Sequence, residues 1–152
     1  MLWSRRLRLP YDQEVIINDT VGFIRDLPEA LVSAFRATLE EIADSDLLVH
    51  VVDASHPRVM QQIASVDKII DDLQFNEIPE LIVLNKTDLL QRAEIAALVR
   101  QITLDTDARC VAISAIRRES LRHMIEAIGE LIVVTDPNFQ GLSEESLAEA
   151  AR

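Results

Sequence analysis

A chain of 152 residues has room for one domain built on one hydrophobic core. An apolar share of 49% excludes whole-chain disorder, and a net charge of −11 opposes binding of free DNA or RNA. One cysteine excludes an internal disulfide framework and no run approaches the ~18 apolar residues of a membrane helix, so the expectation is a cytoplasmic protein without a transmembrane segment.

The elements follow in chain order. Residues 5–9 alternate Arg5, Arg6, Leu7, Arg8, Leu9, as a half-buried edge strand does. A turn over 10–13 leads to a β-branched stretch, 14–19, which reads as a second strand antiparallel to the first. A loop over 20–27 contains Gly22. Pro28 then opens a helix whose buried face is Leu31, Phe35, Leu39 and Ile42. The run 47–52 is apolar apart from His50 and ends at Asp53, which marks a strand covered on both faces. The cycle repeats: helix 57–73, strand 81–84, helix 93–104, strand 110–113, helix 119–132. This alternation predicts an α/β fold, a doubly wound and mostly parallel sheet with an antiparallel edge hairpin. Residues 1–134 are expected to form this unit, and 135–152 a tail with a short helix.

In such a sheet ligands bind at the carboxyl ends of the strands. Three of those ends are polar. Asp19-Thr20-Val21-Gly22 follows the second strand, Asn85-Lys86-Thr87-Asp88 the strand 81–84, and Ser114-Ala115 the strand 110–113. A carboxylate at Asp88 can accept both N–H donors of guanine's ring edge, and adenine lacks that donor pair. Lys86 can lay its methylenes over the base, and Asn85 can tie neighbouring loops together. The Ala115 N–H can donate to guanine's carbonyl oxygen. Asp19 can hold Mg²⁺ through water, and Gly22 lets its N–H approach a terminal phosphate. Asn-Lys-x-Asp arises by chance in about one chain of this length in fifty. Its place in order, 63 residues after Gly22 and 29 before Ser114, makes the set specific for a guanine nucleotide.

Other residues read as structural. His50 is a packed sheet histidine, since no second His or Cys stands at metal spacing. His56 and His123 fall on a loop and a helix surface. Cys110 starts a strand and is inert. Asp53 either caps the following loop or touches the site.

The run Asp19 to Pro28, with Leu31-Val32, Ala34-Phe35-Arg36 and Thr38-Leu39-Glu40-Glu41, resembles the HflX family of translation-factor-related GTPases. Arg5 to Pro10 and Val49 to Ser55 resemble it too. The resemblance covers residues 5–134. It implies a GTPase that uses GTP/GDP and Mg²⁺, associates with the large ribosomal subunit and splits stalled ribosomes. By that resemblance Asp19 and Gly22 serve Mg²⁺ and the γ-phosphate, and Asn85, Lys86, Asp88, Ser114 and Ala115 read guanine. Phe23 stands where Ras-like proteins carry a water-orienting glutamine, which implies slow hydrolysis that the ribosome speeds up.

A P-loop needs Gly-x-x-x-x-Gly-Lys-Ser/Thr, and Gly22, Gly129 and Gly141 open no such pattern. The switch threonine for Mg²⁺ is also missing, and Met1-Leu2-Trp3-Ser4 departs from the family's lead into Arg5. The expectation is a C-terminal piece of a G domain that keeps guanine recognition but is inactive alone. The resembled fold places a further strand between 14–19 and 47–52, so both of those strands are expected to expose unpaired edges. The alternatives are a non-catalytic G-like interaction module and, last, a parallel-sheet enzyme using Asp19 and Asp53 as a metal pair.

Overall fold

The computed structural model describes residues 3–10, 13–19 and 42–135. The expected helix from Pro28, the loop with Gly22 and Phe23, and the tail beyond 135 lie outside the described residues.

The first two strands are β1, Trp3–Arg8, and β2, Glu14–Asp19. They pair antiparallel with Leu7 opposite Val15 and Arg6 opposite Ile16. The Leu9 N–H donates to the Gln13 carbonyl at 2.8 Å and closes the turn. The remaining strands are β3, Leu48–Asp53, β4, Glu80–Asn85, and β5, Arg109–Ala112. They form a parallel sheet in the order β3-β4-β5, with Val51 opposite Val83 and Val83 opposite Val111. Between them run α1, Val59–Asp72, and α2, Arg92–Asp105, and after them α3, Arg118–Thr135.

β4 is the centre of the fold. Leu81, Ile82, Val83 and Leu84 are each fully buried. Successive strand residues face opposite sides, so this one strand supplies two cores. Ile82 and Leu84 meet Val52, Val59, Ile63 and Ile102 beneath α1 and α2. Leu81 and Val83 meet Ile113, Ala127, Ile128 and Leu9 beneath α3 and the hairpin. Helices therefore cover both faces, as the alternating pattern predicts. Leu9 reaches α3 at Gly129, where a Cβ would lie 4.0 Å from its Cδ1.

The hairpin forms a sheet of its own, and no described strand joins β2 to β3. The two strands have not closed on each other. Ile16 and Ile17 on β2 are 67% and 44% exposed, and Val49 and Val51 on β3 are 42% and 57% exposed. These are the open edges expected from the resemblance.

α1 begins at Val59, two residues later than its proline suggests. The His56 carbonyl accepts from the Val59 N–H, and His56 Nδ1 accepts from the Arg58 N–H at 3.1 Å. A turn thus occupies the space in which Pro57 would have been a first helical residue. On α1, burial raises the pKa of Asp67, helped by the Glu80 charge. Burial also pushes the Cys110 thiol up to about 11, which keeps it protonated and inert. His123 is exposed, as expected.

Candidate guanine-nucleotide site

β3, β4 and β5 are parallel, so their carboxyl ends share one rim. On it lie Asp53, Asn85 and the Ile113–Ser114 exit of β5. The ladder runs past the strand ends: the Ala54 N–H donates to the Asn85 carbonyl at 2.9 Å, and the Ile113 N–H to the Leu84 carbonyl at 2.8 Å. The rim is therefore held by backbone pairing before any side chain acts.

Asn85 braces two loops, as its residue type suggested. Its Oδ1 accepts from the Lys86 N–H at 2.8 Å and from the Ala115 N–H at 3.0 Å. The Ala115 N–H, expected to meet guanine's carbonyl oxygen, donates to Asn85 Oδ1 instead. Lys86 has φ 64° and ψ 31°, a left-handed conformation that turns the chain sharply out of β4. A single 3₁₀ turn over Thr87–Leu89 follows.

That turn is bolted to β5. The Thr87 N–H and its Oγ1 both donate to the Ile113 carbonyl, at 3.2 and 2.8 Å. Asp88 then faces Ser114, whose Oγ donates to Asp88 Oδ1 at 2.5 Å. Ser114 is itself 2% exposed. Its N–H donates to Ser120 Oγ at 2.9 Å, and that hydroxyl is 2.8 Å from the Ser114 carbonyl. One carboxylate oxygen of Asp88 is thus fixed from behind, and Oδ2 makes no hydrogen bond among the described residues. A carboxylate held through one oxygen, with acceptor capacity left over, suits recognition of paired N–H donors.

Asp53 fills both roles considered for it. Its Oδ1 accepts from the Ser55 N–H at 3.0 Å and the Ser55 hydroxyl at 2.6 Å, which caps the loop. Its Oδ2 takes Lys86 Nζ at 2.5 Å. The Lys86 hydrogen bond, then those from Ser55, hold the carboxyl down at about 2. Lys86 remains half-exposed and is tethered beside the rim rather than free in solvent.

The structure brings together Asn85, Lys86, Asp88, Ser114 and Ala115. Asp19 ends β2 in the other sheet, opposite Trp3, and is exposed. Gly22 and Phe23 lie outside the described residues. Two supporting residues went unread in the sequence. Thr87 holds the variable position of Asn-Lys-x-Asp, and its hydroxyl was the available signal. Ser120 stands six residues beyond Ser114, and nothing in the spacing distinguishes it.

The family model of the 50S ribosome-binding GTPases matches residues 4–86. GTPase HflX of Caldanaerobacter subterraneus is 42% identical over 125 residues, 82% of this chain and 27% of that protein. GTPase HflX of Alkalihalophilus pseudofirmus is 51% identical over 85 residues, 56% of this chain and 20% of that protein. Among solved structures, a GTP-binding protein from Sulfolobus solfataricus in complex with GDP superposes with a TM-score of 0.75 at 26% identity. The match covers 88% of this chain and 45% of that one. The fold is thus that of the GTPase class. Within that class the chain belongs to the HflX family of GTPases. It spans between a fifth and a third of the length of these curated relatives.

Proposed function

We propose that the chain is the base-reading part of an HflX-type GTP-binding domain. It selects guanine through Asp88, with Lys86 along the base and Asn85 bracing the two loops. The observation that supports this best is the Ser114–Asp88–Asn85–Ala115 set, in which Asn85 Oδ1 bridges both loops and Ser114 Oγ anchors the carboxylate. Asp19 is the residue proposed to hold Mg²⁺ through water, and Gly22 and Phe23 to face the γ-phosphate. The site carries acceptors for the base, whereas the 152 residues contain no Gly-x-x-x-x-Gly-Lys-Ser/Thr pattern to wrap the phosphates. Association with the large ribosomal subunit and a cytoplasmic location are part of the same reading. They are supported by the family's description as ribosome-binding GTPases and by described helices too short or too polar to cross a membrane.

Calorimetry tests the base. Wild type binds GDP weakly and ADP at least tenfold more weakly still. Asp88→Asn places a donor toward guanine's donors and shifts preference to XDP, whose carbonyl offers the matching acceptor. Equal binding of ADP and GDP by wild type would overturn the assignment.

Catalysis is tested separately. Phosphoryl transfer is catalysed by positioning and charge stabilisation around the phosphates, and the P-loop lysine supplies much of both. The 152-residue chain is expected to release no phosphate from GTP above background, with or without ribosomes. Phosphate release that tracks purified protein and disappears in Asp19→Ala would contradict this. A guanine-nucleotide-binding module that acts by contact, without hydrolysis, is the second reading.

A further inference from the structure

The opposite end of the sheet carries a second polar cluster, with no part in the guanine reading. Val59 and Ile63 form the buried stripe of α1, and the next position on it, four residues on, is Asp67. On β3 the residues that share a face with the buried Val52 are Leu48 and His50. On β4 those that share a face with Ile82 and Leu84 include Glu80. Three packed elements thus each substitute a metal-ligating side chain for an apolar one at the same point of one layer. His50 and Glu80 sit on adjacent strands, diagonally across the register, with His50 Nδ1 3.1 Å from Glu80 Oε1. Both side chains are well sheltered, at 13% and 15% exposure.

Asp67 is the informative member. Its Oδ1 is fully buried and has no hydrogen-bond partner among the described residues. A buried polar atom left unpaired costs about 1–3 kcal/mol, so an otherwise close-packed layer has reason to exclude it. One ligand atom from each of His50, Asp67 and Glu80 lies within 4.8 Å of the other two. Ligands around a tetrahedral zinc ion sit about 3.3 Å apart, given bonds of about 2.0–2.1 Å. The His50–Glu80 pair already has that spacing, and a side-chain rotation of Asp67 supplies the rest.

We propose that His50, Asp67 and Glu80 form a binding site for one divalent cation of the zinc class. An imidazole nitrogen with two carboxylates is a donor set of that kind, whereas Mg²⁺ and Ca²⁺ take oxygen alone. The charge balances: two carboxylates and a neutral imidazole carry −2, which a divalent ion neutralises. Three protein ligands leave one position for water. The site joins β3, β4 and α1 at the end of the sheet remote from the base-reading rim, so its effect is on stability.

The experiment uses the full chain after chelator treatment. Calorimetry with zinc chloride is expected to give one ion per chain and a raised melting temperature. Asp67→Asn retains the shape of the side chain, removes its charge and weakens zinc at least tenfold. His50→Gln and Glu80→Gln do the same. A double variant, His56→Gln with His123→Gln, binds zinc like wild type. Cobalt chloride added to wild type gives a visible absorption band of a four-coordinate nitrogen and oxygen site, bleached by one equivalent of zinc. That readout requires no variant to fold. The proposal fails if zinc leaves the melting temperature unchanged. It fails if Asp67→Asn binds as tightly as wild type, or if the His56, His123 double variant abolishes binding. Loss of guanine selectivity in Asp88→Asn bears on the other site alone.

Discussion

Asp53 shows how much a single side chain on the rim can do. It caps its own loop through Ser55 and tethers Lys86 across the rim. Its carboxyl titrates at about 2 in the folded chain against an ordinary 3.8. On acidification the unfolded chain takes up this proton first, so the contribution of the group is complete above pH 4 and lost as pH falls toward 2. The pair is open to solvent on the Lys86 side, which limits its worth to about 1 kcal/mol. Asp53→Asn should therefore lower the unfolding free energy from urea titration by about 1 kcal/mol at pH 7 and by much less at pH 2. An equal difference at both pH values would rule out the charge as the cause. The sequence made Asp53 legible as a turn residue, because an acceptor two residues before a serine has a local partner. Its bond to Lys86 was not legible. It depends on Lys86 adopting a left-handed backbone, and lysine at that position carries no sign of doing so. That Asn85, Asp88 and Ser114 come together was legible because the parallel sheet dictates where its strands end.

At the scale of elements, burial separates residues that composition does not. Ile82 on β4 and Val49 on β3 are both β-branched and both lie in apolar strands. Ile82 is fully buried, whereas Val49 is 42% exposed on an open edge. Ile82→Val should cost about 0.5–1.5 kcal/mol, the loss of one methylene from a close-packed layer. Val49→Ala removes more atoms yet should cost less than about 0.5 kcal/mol. Urea titration of both variants checks this, with slopes unchanged from wild type. A larger cost at Val49 would mean that the edge is covered in solution. Among the described residues, strand and helix positions were legible to within three residues because apolar periodicity reports burial directly. The ends were less so. β3 and β4 each run one residue past their apolar runs, to Asp53 and Asn85, because pairing between backbones ignores side-chain polarity. His50 was read as packed into the sheet, and it is half-buried there. What covers it, a carboxylate from α1 and another from β4, comes from residues 17 and 30 positions away, beyond the reach of a local pattern.

For the molecule as a whole, the unjoined sheets decide behaviour in solution. Among the described residues, β2 and β3 present apolar side chains beside edges that no strand pairs. Such edges are templates for pairing between chains. The net charge of −11 opposes association at long range, but at 0.15 M salt it is screened beyond about 8 Å, and strands meet at contact. The chain should therefore self-associate as its concentration rises. Val51→Lys places a charge on the exposed face of β3 and should restore a monomer in light scattering while changing the melting temperature little. A wild-type chain that stays monomeric at high concentration would show that these edges do not pair.

β4 has one further consequence. Binding loops usually belong to the least stable parts of a protein, where local opening is cheap. Here the loop proposed to read the base continues from the one strand that both cores share, and it is pinned to β5 by Thr87 and Ser114. Neither core can come apart without exposing β4, so Asn85 leaves its place only when the chain opens globally. The hairpin with Asp19 meets β4 through one core alone, by way of Leu9, Leu7 and Val15. The loop that carries Asn85 is therefore expected to keep its shape longer than the end of β2 as the chain is destabilised.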